Sequence, residues 1–139
     1  MRIVIAWHGT ERSEAALDAA LDGYGPHAEV VLVRAVTVAA DGDGHPDPGG
    51  DHRRAAEDLE RRVAALRTAG HQVAGQVLRG LTGAADQLLR YLEREPADLL
   101  VCGVRRRSPV GKVLLGSVSQ SLLLAAPCDV LAVKAPKDR

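Results

Sequence analysis

Short apolar runs return along this chain at regular intervals, each followed by a stretch of helical periodicity, and that alternation restricts the fold more than any other feature. Residues 3–7 read Ile-Val-Ile-Ala-Trp, 30–38 read Val-Val-Leu-Val-Arg-Ala-Val-Thr-Val, and 98–102 read Asp-Leu-Leu-Val-Cys. Runs of this kind suit strands buried on both faces of a parallel sheet. Between them, a segment starting near Ser13 carries Ala16, Leu17, Ala20 and Leu21 and closes at Gly23, Gly25 and Pro26. It reads as a helix. Residues 51–69 place Ala55, Leu59, Val63 and Leu66 on one face, with Gly70 as the stop, and form a second amphipathic helix.

The remaining segments are less regular. Residues 39–50 are dense in Gly, Pro and Asp and are expected to be a surface connection. Residues 72–78 make a weaker strand, interrupted by Gly75 and polar enough for a sheet edge. Thr82 is positioned to N-cap a helix through Ala85, Leu88, Leu89 and Leu92 that ends before Pro96. Gly103 is expected to end the fourth strand. A helix from Ser117 and a strand over Val130–Val133 complete the pattern.

Five strands alternating with four helices predict an α/β fold. The expected form is an open five-stranded parallel sheet, order 3-2-1-4-5, with helices on both faces and right-handed crossovers. At 139 residues the chain is expected to be a single domain, 1–139. Such sheets bind ligands at the carboxyl ends of their strands, where the winding reverses; for the order 3-2-1-4-5 that crevice lies between the first and fourth strands. The loops to watch are therefore 8–11 and 103–117.

Composition removes several functions. Aromatic residues are 2%, namely Trp7, Tyr24 and Tyr91, too few for a platform that stacks single-stranded bases. With no helix-turn-helix pattern either, no nucleic-acid partner is expected. Cys102 and Cys128 form neither a disulfide framework nor a metal motif, and neighbouring parallel strands would hold them too far apart to bond. No metal site is expected. The N-terminal apolar run is too short for a signal peptide and no run reaches membrane-spanning length, so a cytoplasmic protein without membrane contact is expected. Zero net charge conceals a gradient: residues 1–100 hold 11 basic and 16 acidic side chains, residues 101–139 hold 7 and 2. A basic final third suits either a solvated face or a phosphate partner.

The segment from Gly103, GVRRRSPVGKVLLGS, joins a strand end to a helix start with three glycines, three arginines, a lysine and two serines. Glycine admits close backbone approach, a helix N-terminus offers free N–H groups, and Ser117 adds a hydroxyl. Ser117 and Ser119 equally suit plain N-capping. Lys112 reads as a solvated loop side chain. His8, ending the first strand, is either an unliganded polar residue or, opposite the arginine run, a neutral imidazole that donates to a phosphate or sugar oxygen.

On these residues the whole chain resembles the universal stress protein family, whose ATP-binding members carry G-x2-G-x9-G-[ST] after the fourth strand. The frame fits at Gly103, Gly116 and Ser117, with Arg106 standing where the second glycine belongs. In the first loop, Trp7-His8-Gly9-Thr10 stands where relatives have V-D-G-S, so His8 replaces an aspartate. The resemblance implies a site for ATP or AMP, with Mg only alongside ATP, formed by His8, Gly9, Thr10, Val36, Gly103, Arg105, Arg106, Gly116, Ser117 and Val118. Val36 reads as core, with an adenine ring near it by resemblance. Arg106 leaves two outcomes: a reshaped loop without ATP binding, or guanidinium contacts that replace the backbone cradle.

The resemblance also implies a homodimer paired through the last strand, Cys128–Lys134, together with unknown protein partners. No catalytic residues are assigned. There is no nucleophile elbow and no P-loop, and at most slow ATP hydrolysis is implied. Two functions follow: a regulatory module responding to an adenine nucleotide, or a homodimeric stress-response interaction protein that keeps the scaffold without binding ATP.

Overall fold

The computed structural model describes residues 1–38, 50–105 and 115–135. The connection expected over 39–50 lies almost wholly outside the described residues, as do Arg106, Arg107 and Lys112. Five strands, β1 (Arg2–Ala6), β2 (Glu29–Thr37), β3 (Val73–Gly80), β4 (Leu99–Val104) and β5 (Asp129–Lys134), alternate with α1 (Glu11–Tyr24), α2 (Gly50–Thr68), α3 (Ala84–Arg94) and α4 (Ser117–Ala125). All neighbouring strands are parallel, in the order β3-β2-β1-β4-β5.

The pleat explains the continuous apolar runs. Ile3, Ile5 and Trp7 of the first run face a layer with Ala16, Leu17 and Ala20 of α1 and Leu59, Val63 and Leu66 of α2. Val4 and Ala6 face the opposite layer, with Leu88, Tyr91 and Leu92 of α3 and Leu122 of α4. Every side chain of such a strand is buried, and the strand cannot be amphipathic.

Helix ends set the loops that matter. Thr10 N-caps α1 in a reciprocal pair with Ser13: its Oγ1 accepts from the Ser13 N–H, and the Thr10 N–H donates to Ser13 Oγ. The helix therefore starts at Glu11, two residues before the expected Ser13. α2 stops where Gly70 takes φ +97°, with the His71 N–H bonding the Leu66 carbonyl.

Two boundaries differ from expectation. Gly83, not Thr82, caps α3, because the Thr82 carbonyl is already held by Gln87 Nε2 (2.7 Å) and by the Thr37 hydroxyl (3.0 Å). β4 does not end at Gly103 but continues to Val104, since pairing with β5 runs on through Gly103–Val133 and Val104–Lys134.

The two sheet margins differ. Gly80 offers its carbonyl to Val38 of the β2 side, so alternation turns the carbonyls of Val73, Gly75, Val77 and Arg79 outward. Arg67 Nε donates to the first of these at 2.9 Å, and Gln76 Nε2 to the third at 3.2 Å. β5, on the other margin, is half-exposed through its four central residues.

Candidate functional site

β1 and β4 lie side by side, yet α1 leaves β1 and crosses to pack on β4 while α2 packs on β2 and β3. The winding reverses there, and the carboxyl ends of the two strands open into a cavity of about 420 Å³. Its floor is Ala6 of β1 with Cys102 and Gly103 of β4; His8, Thr10, Arg12 and Ser13 form one wall; Arg105 and Gly116–Ser119 form the other.

Each side is built locally. On the α4 side, Gly116 is the N-cap and supplies no side-chain bond. The N–H groups of Ser117, Val118 and Ser119 therefore have no intrahelical acceptor. Ser119 Oγ donates to the Gly103 carbonyl at 3.4 Å, joining the first turn of α4 to β4. On the α1 side, Gly9 takes φ +74°, which swings the chain from His8 into the Thr10 cap. Gly103 has a different duty. A Cβ there would overlap the Arg12 carbonyl, 2.5 Å from its carbon, so glycine is what lets the first turn of α1 lie against β4.

Of the residues singled out in the sequence, His8, Thr10, Gly103, Arg105, Gly116, Ser117 and Val118 share this cavity. Gly9 lines a second cavity of about 400 Å³ on the far side of His8, with Trp7, Glu14, Arg34, Asp58, Arg61 and Arg62. Val36 lines neither: it is half-buried, with its carbonyl accepting from Gln87 Nε2 at 3.2 Å. Arg106 is outside the described residues. Arg12 and Ser13 were missed, although Thr10-x-x-Ser13 is itself a capping signature that would have started the helix earlier.

Electrostatics separate the cavities. In the second, Arg34 lies 3.8 Å from Asp58, Arg61 also pairs with Asp58, and Arg62 grips Glu14 at 2.9 Å. Trp7 Nε1 donates to the same Glu14 carboxylate at 3.0 Å, and the Arg34 guanidinium covers the Trp7 ring. The first cavity has no carboxylate among its described lining residues. His8 lies between the two. Burial, then Arg34, then Arg12 push its pKa below the usual 6.5, so the imidazole is neutral near pH 7. The cations responsible come from β2 and α1. Burial alone pushes the Cys102 thiol up, which keeps it protonated and unreactive.

A doubly wound α/β domain with a polar crevice at the switch point is thereby defined. The model of the universal stress protein family matches residues 1–134, and the chain belongs to that family. It is 32% identical over 135 residues to a universal stress protein of Thermus aquaticus, covering 95% of this chain and 97% of the relative. A match to a universal stress protein of Mycolicibacterium smegmatis is 57% identical over 51 residues, 37% of this chain, and spans 39% of that relative's length. Among solved structures, a universal stress protein of Archaeoglobus fulgidus superposes with TM-score 0.70 at 25% identity, over 96% of this chain and 97% of that one. A family member from Arabidopsis thaliana, solved with AMP bound, superposes with TM-score 0.71 at 18% identity, over 99% and 94%.

Proposed function

We propose that this chain binds an adenine nucleotide in the crevice between β1 and β4, as a regulatory module. The observation that carries this reading is the convergence of three kinds of anion donor on one cavity. These are the uncapped first turn of α4, the Ser117 hydroxyl, and the guanidinium groups of Arg12 and Arg105. A neutral His8 supplies a further donor where the family's motif has a carboxylate. The AMP-bound Arabidopsis relative supports the ligand class. The cavity volume suits a small ligand.

A ligand bound only by the folded state raises its melting temperature. Denaturing the purified protein is expected to release an adenine nucleotide detectable by mass. Millimolar AMP or ATP is expected to raise Tm by several degrees, about 2–3 kcal/mol at a hundredfold excess over Kd. No released nucleotide and no shift would reject the reading.

Self-association through β5 is a second, compatible reading. It is supported by the half-exposed β5 margin and, on the adjoining α4, by Leu123 and Leu124 at 38% and 80% exposure. Sedimentation at micromolar concentration is expected to give twice the chain mass; a monomer would reject it.

A further inference from the structure

We propose that Arg12 is a ligand-contacting residue that neutralises the bound anion, so that a phosphate group is held in the β1–β4 cavity without a divalent cation. This deepens the nucleotide reading and rests on it. Three observations carry it.

The first is position. Arg12 is the second residue of α1, and its carbonyl lies against Gly103, with no room for even a methyl group between them. The base of this side chain is therefore fixed relative to the end of β4 and the cavity it lines.

The second is charge. The arginines around the neighbouring cavity are already spoken for: Arg34 and Arg61 by Asp58, Arg62 by Glu14. Among the described residues Arg12 and Arg105 have no carboxylate within ion-pair distance, and both line the first cavity. Of two cavities that share the His8 wall, one sets two carboxylates against its three guanidinium groups, each of which is ion-paired, and the other, among the described residues, holds two guanidinium groups and no carboxylate. An anion gains most in the second of these, because it displaces no existing ion pair.

The third is ligand chemistry. Magnesium in phosphate sites is ordinarily held by one or two protein carboxylates together with phosphate oxygens. The described lining offers two guanidinium groups, an imidazole and four hydroxyls, of which those of Thr10, Ser13 and Ser119 already donate within the chain. Residues 103–117 contain no Asp or Glu. Guanidinium supplies the charge and the paired N–H donors that a dianionic phosphomonoester needs.

The test is calorimetric titration of the full chain with AMP, in EDTA and in millimolar MgCl₂, alongside the Arg12→Gln and Arg12→Lys variants. The wild type is expected to bind AMP with affinities that agree within about twofold in the two buffers. Arg12→Gln is expected to lose about tenfold or more, and Arg12→Lys to recover part of the loss. Unliganded melting temperatures check that the variants fold. AMP binding that requires magnesium, or an Arg12→Gln variant that binds like wild type, overturns the proposal and leaves the nucleotide reading standing. Pyrophosphate is the adenine-free probe. If it binds in EDTA through Arg12 while AMP does not bind, the adenine assignment falls and the role of Arg12 stands. Binding of neither overturns both.

Discussion

His8 stands in a wall shared by two cavities, and its titration follows from that place. Its pKa in the folded chain lies below the unfolded value of 6.5, chiefly through burial and then through Arg34 and Arg12. As pH falls through 6.5 the unfolded chain takes up a proton that the folded one resists, so this residue removes stability on the acid side of neutrality. Thermal melts of wild type and His8→Gln between pH 7.5 and about pH 5 are expected to diverge, the variant losing less. Parallel curves would mean that the imidazole titrates freely. Gly103 gives a prediction of another kind. Because a Cβ would meet backbone, Gly103→Ala forces α1 off β4 and is expected to cost about 2–3 kcal/mol in urea unfolding. A loss below about 0.5 kcal/mol would show that the helix shifts without strain. By contrast, Gly116→Ala is expected to change stability less, since no described residue comes within 4 Å of its absent Cβ. The two glycines look alike in the motif and differ in what they do: one is a contact, the other a cap.

Between α1 and α2 the tie is the Glu14 carboxylate, which accepts from Trp7 Nε1 at 3.0 Å and from Arg62 Nε and Nη2 at 3.0 and 2.9 Å. The Glu14 and Arg62 side chains are about a third exposed, so solvent screens part of the attraction. A double-mutant cycle over Glu14→Gln and Arg62→Gln is expected to give a coupling of about 0.5–1 kcal/mol. Zero coupling would leave the two helices joined by apolar contact alone. At this scale much was legible beforehand. Strands buried on both faces announce themselves as unbroken Ile, Val and Leu, and the 3.6-residue spacing of Ala55, Leu59, Val63 and Leu66 marks the buried side of α2. Boundaries were harder because they are decided by distant partners. The carbonyl of Thr82 is fixed by Gln87 and Thr37, and strand pairing carries β4 past a glycine that sequence alone reads as a stop.

For the molecule as a whole, five parallel strands with helices on both faces followed from short apolar runs separated by helices; right-handed crossovers leave few orders, and the structure has β3-β2-β1-β4-β5. The switch point follows from that order, and so do the two loops that meet there. What sequence could not supply is the charge balance across His8. Arg12 and Arg34 are far apart in the chain, and only the folded arrangement pairs Arg34 with Asp58 while leaving Arg12, among the described residues, without a carboxylate. Nor does sequence show which backbone groups on the sheet's two margins are already engaged. On β3, side chains from α2 and from the strand itself occupy two of the four outward carbonyls. A copy docking there would first have to strip those donors away, whereas among the described residues no side chain bonds the outward groups of β5. Stacking of sheets end upon end would need two receptive rims; with half of the outward carbonyls of one rim already engaged at home, a ribbon that lengthens indefinitely would meet resistance at every joint.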